Sequence, residues 1–418
     1  MHHHVCGFRC VLCGAEYPPS QALYVCPHHG DHGILDVVYD YPAIRRAWPR
    51  EALAQDRARS MWRYRPLLPV EPDSSEPPLT VGWTPLYGIP RLASQLGLRA
   101  LWLKDEGRNP TASLKDRASA VALVRAQEQG RRCMTAASTG NAASSLAGLA
   151  ASVGMETVIF VPAAAPRAKM AQLLVYGATL VAVEGDYDQA YDLCLEATRR
   201  YGWYSRNTAF NPYLSEGKKT AALEICEQLG WQAPDRVFVA VGDGCIIGGL
   251  WKGFRDLLAL GFIERLPRLF GVQAQGAAVL AEAWARGSEE VRPQPPSTLA
   301  DSIAVGLPRD RVKALRAVRE SGGAFVTVSD AEILEAMRAL GRQTGVFGEP
   351  AGVAGFAGLC RLAQAGDLHA DEQVVVLVTG NGLKDVDSAM KAGGVGHRMV
   401  PTAEALTELV ERLHLDRR

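Results

Sequence analysis

Four short stretches of this chain carry side chains suited to chemistry, and each follows a compact apolar run. "NPTASLKDRAS" (Asn109–Ser119) sets Lys115 where an extended run turns into a helix. "STGNAAS" (Ser138–Ser144) sets Asn141 at a helix start, with Ser138 and Thr139 before it. "VGDGCIIGG" (Val241–Gly249) is a glycine-rich turn, and "TGNGLKD" (Thr379–Asp385) puts the Thr379 hydroxyl at the tip of an apolar strand. A lysine amine is a nucleophile once deprotonated. Glycines let a backbone approach an anion, and the helix that follows offers free N–H groups. Singly, each stretch has a plain structural reading: a surface lysine, a helix N-cap, a packing turn, a satisfied hydroxyl. The glycine-rich turn lacks both the lysine–serine ending of a nucleotide loop and full dinucleotide spacing. Taken together, a lysine, a polar clamp, a glycine cradle and a buried hydroxyl suit an aromatic aldehyde that bears a phosphate.

The elements that must position these residues read as an α/β alternation from about Leu101 onward. "ALWLK", "RCMTAA", "TVIFVP", "TLVAVE", "RVFVAVG", "LFGVQA", "AFVTVS" and "VVVLVTG" read as strands, and amphipathic or small-residue helices separate them. Apolar strands between helices predict parallel sheets covered on both faces. Such sheets bind ligands beyond the carboxyl ends of their strands, where all four stretches fall. Before this region, "PAIRRAWPREALAQDRARSMWRYR" reads as one helix, followed by the proline-rich connector "PLLPVEPDSSEPPLTVGWTPL". The expected organisation is a cysteine- and histidine-rich head (1–40), the first part of a large domain (41–130), a smaller α/β domain carrying the Asn141 loop (131–215), and the remainder of the large domain (216–418).

The head holds Cys10 and Cys13 two residues apart, then Cys26 and His29 at the same spacing. Two such knuckles are the ligand arrangement of a small zinc ribbon, with Cys6 and His28 as competing ligands. Four protein ligands would close the metal, so a structural role is expected. Residues 1–40 contain one arginine and no lysine, which argues against a nucleic-acid module. The whole chain balances 45 basic against 45 acidic residues and is 48% apolar. That balance disfavours nucleic-acid and membrane-surface partners, and no apolar run is long enough to cross a membrane. The start of the chain has no secretory pattern, so the cytoplasm is the expected location and a disulfide framework among the nine cysteines is not expected.

The motifs "GWTPLYGIPRLASQLG", "LKDEGRNPTASLKDR", "STGNAASS", "FVPAAAPRAKMAQLLVYGATLVAVEG", "GEPAG" and "TGNGLKD" resemble those of fold type II pyridoxal-phosphate enzymes, most closely the threonine synthases. The resemblance spans nearly the whole chain. It implies two open parallel-sheet α/β domains, an amino-acid substrate and a homodimer. It implies that Lys115 holds pyridoxal 5'-phosphate covalently and that Asn141 meets its phenolic oxygen. Gly242, Asp243, Gly244, Cys245 and Ile246 would surround its phosphate, and Thr379 would meet its pyridine nitrogen. Ser138 and Thr139 would take the substrate carboxylate, Lys169 would face the substrate phosphate, and Ser113 and Asp116 would position the Lys115 loop. Arg117 is expected to be a structural ion-pair partner. The implied reaction turns O-phospho-L-homoserine and water into L-threonine and phosphate.

The chain departs from the family pattern at four positions. Leu214 stands where an arginine that binds the substrate phosphate is frequent, leaving Arg206, Lys218 or Lys219 to supply the charge. Asp243 replaces a common asparagine beside the cofactor phosphate, which is unfavourable unless its side chain turns away. Asn381 replaces a frequent histidine, and Gly352 a common serine. The first two departures keep open a related lyase or replacement enzyme, such as a serine/threonine ammonia-lyase or a cysteate-synthase-like enzyme acting on phosphoserine.

Overall fold

A computed structural model describes residues 4–21, 24–165 and 167–415, without the side chains of 167–169. In chain order its strands are β1 (Val5–Cys10), β2 (Glu16–Tyr17), β3 (Leu35–Tyr39), β4 (Leu86–Gly88), β5 (Ala100–Asp105), β6 (Cys133–Ala137), β7 (Glu156–Pro162), β8 (Thr179–Val183), β9 (Tyr204–Ser205), β10 (Arg236–Ala240), β11 (Arg268–Ala274), β12 (Ala324–Val328) and β13 (Gln373–Val378). They form a six-stranded sheet of order β12-β11-β10-β13-β5-β4, a four-stranded sheet of order β8-β7-β6-β9, and a three-stranded sheet of order β2-β1-β3. Both larger sheets are parallel, except that β4 pairs antiparallel with β5 at one edge.

The strand sequences match their depth. β13 lies between β10 and β5, and all its residues from Val374 to Val378 are buried. A strand covered on both faces needs an unbroken apolar run, and "VVVLV" supplies one. β10 and β11 stack Phe238 on Phe270 with ring centroids 4.7 Å apart.

The helix read across residues 42–65 is instead three pieces: Tyr41–Ala47, Arg50–Gln55 and a 3-10 turn at Met61–Leu67. Pro49 divides the first two. Its missing N–H and its ring both oppose continuation, so the amphipathic period runs on where the helix cannot. The head's antiparallel β1 and β3 pack onto the main body. Phe8 meets Tyr213 edge-on at 5.8 Å, and Phe8, Leu35 and Val37 join the same buried cluster as Leu123 and Phe254.

An ion cluster pins the Lys115–Glu128 helix. Arg117 is fully buried, and its guanidinium donates to Glu106 and Glu224 at 2.5–2.7 Å. The ammonium of Lys104 donates to the same Glu224 at 2.7 Å. Every one of these charges has an opposite partner, the condition under which buried charges are tolerated. Arg117 is structural, as its sequence context predicts. Among the described residues no helix is long and apolar enough to cross a membrane.

Candidate active site

Lys115 is the first residue of its helix and follows a tightly held loop. Asp116 accepts the backbone N–H of Thr111 at 2.7 Å, which closes the loop on itself. Ala112 takes a left-handed φ of 67°, a costly conformation for an alanine three residues before the lysine. The loop is also stitched to the end of β13: Leu114 N–H donates to Thr379 O at 2.9 Å, and Asn381 N–H donates to Ala112 O at 3.0 Å. Lys115 and Thr379 are thereby fixed relative to each other by backbone.

Both open onto a cavity of about 1140 Å³. It is lined as well by Ser138, Thr139, Asn141, Gly242, Asp243, Gly244, Cys245 and Ile246. Three strand ends from two sheets and the start of the Lys115 helix thus converge on one space. Lys169 lies in the Arg167–Val175 helix, and its side chain is outside the described residues. Burial, then the charge of Lys218, lowers the Lys115 amine to about 8. At pH 7 its neutral, nucleophilic fraction is then on the order of a hundredfold or more larger than that of an ordinary lysine.

The glycine-rich turn fits a phosphate. The Cys245–Leu260 helix begins with Gly244 at φ 95°, and no side chain caps it. Its first N–H groups therefore face the cavity without the acceptor that a cap would supply. A Cβ on Gly242 would stand 2.9 Å from Ile303 Cα, and one on Gly244 would stand 2.7 Å from Ala314 Cβ. Asp243 lines the cavity, and its carboxylate accepts the backbone N–H of Arg309 at 3.1 Å. Ser113 Oγ, in the same loop as Lys115, is buried and has no hydrogen-bond partner among the described residues. These residues fit pyridoxal 5'-phosphate: an amine for the aldehyde, a helix start for the phosphate, and amide and hydroxyl groups at the ring.

The structure separates the three cations that the sequence left open. Lys219 faces away, its ammonium paired with Glu216 at 2.7 Å and Asp256 at 2.6 Å. Arg206 and Lys218 both line the cavity, and each is 1% exposed. Arg206 Nε donates to Ser119 Oγ at 2.9 Å, yet neither side chain has a carboxylate in ion-pair contact among the described residues. Burial lowers Arg206 to about 10 and lowers Lys218 as well. Arg206 stays charged at neutral pH, and a buried cation without an ion-pair partner is costly until an anion joins it. Leu214 is fully packed in the core. Gly352 stands where a Cβ would come 2.8 Å from Gly380 O, and Asn381 caps the N–H of Leu383 at 3.0 Å.

Glu349, in the "GEPAG" stretch, joins these residues. It lines the cavity, is 5% exposed, and accepts Asn141 Nδ2–H at 2.7 Å. Its one signal in the sequence is its place just before a helix that opens with proline.

In the head, the ligand atoms of Cys10, Cys13, Cys26 and His29 all lie within 4.8 Å of one another. Cys13 Sγ and Cys26 Sγ are 3.9 Å apart, close to the edge of a tetrahedron with zinc–sulfur bonds of ~2.3 Å. Tyr17 Oη is 3.0 Å from Cys26 Sγ, the kind of outer contact that steadies a thiolate ligand. His28 Nδ1 is 4.0 Å from Cys13 Sγ, and Cys6 is outside the cluster. The donor set fits zinc.

Known proteins resemble this chain along most of its length. The family described as pyridoxal-phosphate dependent enzyme matches residues 78–380. A threonine synthase of Methanocaldococcus jannaschii is 40% identical over 386 residues, 92% of this chain and 94% of that protein. One of Methanosarcina acetivorans is 39% identical over 381 residues, 90% of this chain and 92% of its own length. Among solved structures, a threonine deaminase isoform of Solanum lycopersicum matches with TM-score 0.63 at 22% identity, covering 75% of this chain and 84% of its own. Maize serine racemase matches with TM-score 0.62 at 20% identity, covering 80% and 94%. These two show the shared α/β fold. The chain belongs to the pyridoxal-phosphate-dependent enzymes of fold type II and, within them, to the threonine synthase family.

Proposed function

We propose that this protein is a threonine synthase, converting O-phospho-L-homoserine and water to L-threonine and phosphate with pyridoxal 5'-phosphate. Its likeness to threonine synthases along nine-tenths of the chain supports the reaction. The observation that carries the phosphate-bearing substrate is the pair Arg206 and Lys218, two buried basic side chains in the Lys115 cavity that make no ion pair among the described residues. They supply the charge that Leu214 does not, with Lys169 as a third contact. Ser138 and Thr139 hold the substrate carboxylate.

Pyridoxal 5'-phosphate, when bound, withdraws electrons from the substrate's amine-bearing carbon, which acidifies its α and β protons and eases loss of the γ phosphate. Lys115 holds the cofactor until substrate arrives. Its released amine then moves protons at the α and β carbons, a task suited to a group lowered to about 8. Asn141 would donate to the phenolic oxygen, and the backbone of Gly242, Asp243, Gly244, Cys245 and Ile246 would hold the phosphate. Thr379 offers a neutral hydroxyl to the ring nitrogen. That leaves the nitrogen less protonated than an aspartate would, and favours elimination and replacement over transamination. Water finally adds at the β carbon. Cys10, Cys13, Cys26 and His29 hold a structural zinc. The same reading makes the protein a cytoplasmic homodimer, with residues 131–215 as the smaller domain.

The test is a panel of phosphohomoserine, phosphoserine, serine and threonine given side by side to the purified holoenzyme. Threonine and phosphate should form from phosphohomoserine. Arg206→Met and Lys218→Met should each raise its KM by about tenfold or more, the scale of a lost charge-assisted hydrogen bond. No turnover of phosphohomoserine, with deamination of serine or threonine or consumption of phosphoserine, would reassign the protein to a related lyase or replacement enzyme.

A further inference from the structure

We infer that Glu349 is a positioning residue that acts through Asn141, selecting which end of the Asn141 amide faces the cofactor. The inference rests on the proposed contact between Asn141 and the cofactor's phenolic oxygen. An asparagine amide has two ends of nearly equal shape, one donating and one accepting. Turned the wrong way, Asn141 would present its carbonyl oxygen to an oxygen that carries negative charge. Something must choose the end.

Glu349 Oε1 makes that choice. It accepts Asn141 Nδ2–H at 2.7 Å inside a buried site, which fixes the nitrogen end beside Glu349, and among the described residues the second N–H makes no other hydrogen bond. The carboxyl group is itself held. Glu349 precedes the Pro350–Gln364 helix, and its backbone N–H donates to Gly380 O at 3.0 Å. Gly380 follows Thr379, so the group that orients Asn141 is tied to the loop that carries the hydroxyl. The space it fills exists because residue 380 is glycine: a Cβ there would stand 2.3 Å from Glu349 Oε1. Burial pushes the Glu349 carboxyl up to about 7, against the Asn141 hydrogen bond and the charges of Lys384 and Lys115, with Asp301 adding to the rise. A carboxyl oxygen accepts an N–H in either protonation state, so the contact persists through neutral pH.

The contact also bridges the two larger sheets. Asn141 begins the helix after β6, whereas Glu349 packs against the end of β13. Lys384 makes a second bridge in the same direction, donating to Ser144 Oγ at 3.2 Å and Gln172 Oε1 at 2.8 Å.

The experiment needs no amino-acid substrate, so its failure is separable from failure of the threonine synthase reading. Glu349→Ala, Glu349→Gln, Gly380→Ala and Asn141→Ala, and the double variant of Glu349→Ala with Asn141→Ala, are titrated with pyridoxal 5'-phosphate. Cofactor affinity and the visible spectrum against pH are recorded. E349A and G380A should each weaken affinity about tenfold and shift the spectral titration. E349Q should restore both, because a glutamine oxygen accepts the same bond. In the N141A background, E349A should cause no further change. An equal loss from E349A in that background, or a failure of E349Q to restore affinity and spectrum while the protein remains folded, would overturn the inference.

Discussion

At the scale of single residues, the site depends on how buried charge is paired. Glu224 shows the paired case. Burial opposes its ionisation, but the charges of Arg117 and Lys104 outweigh that and hold its carboxyl down to about 2. A carboxylate lowered on folding contributes its stability above its unfolded value near ~4.3, and loses it as pH falls through about 2. Glu224→Gln should therefore lower stability at pH 7 by about 3–5 kcal/mol, because Arg117 and Lys104 remain buried with one acid fewer. Denaturant melts at pH 7 and pH 3 check this, and the penalty should be smaller at the lower pH. Arg206 and Lys218 make no ion pair among the described residues, and both line the cavity. The sequence makes the difference visible for Arg117, which sits beside Lys115 in one motif. It does not for Arg206, Lys218 and Lys219. Adjacent lysines on a helix point about 100° apart, and which one meets the cavity depends on how that helix packs.

At the scale of elements, the chemistry sits where strands end and helices begin. Lys115, Asn141 and Cys245 are each the first residue of a helix, and Thr379 directly follows β13. This placement is legible in sequence because apolar runs ending in small polar residues are a local signal. The break at Pro49 shows the converse error, where a period of apolar residues was followed through a residue that cannot continue a helix. Glu349 escaped notice for another reason: its partner is 208 positions away, and no local pattern announces the contact. The Gly244 turn gives an element-scale prediction. Gly244→Ala forces a side chain into a φ of 95° against Ala314, so stability should fall by about 1–3 kcal/mol and cofactor affinity by tenfold or more. Calorimetry and cofactor titration read the two effects separately.

At the scale of the whole molecule, the head is continuous with the body that holds the site. Phe8, Cys10, Cys26 and Leu35 share one buried cluster with the Lys115–Glu128 helix, and Asp31 on the same loop pairs with Arg199. Purified protein should carry about one zinc per chain, and Cys13→Ser should release it and lower the melting temperature by several degrees. Metal analysis and calorimetry check both. The order of the sheets, by contrast, could not be read from the chain: β13 inserts between β10 and β5 although it comes last, a result of long-range packing that no local segment encodes. That insertion brings Thr379 to Lys115, and the account stands on what Lys115 holds. The most direct test is to reduce the holoenzyme with borohydride, digest it and locate the cofactor by mass spectrometry. The account predicts a single modified peptide with the pyridoxyl group on Lys115. An unmodified Lys115 in cofactor-saturated protein, or a label on another lysine, would contradict it.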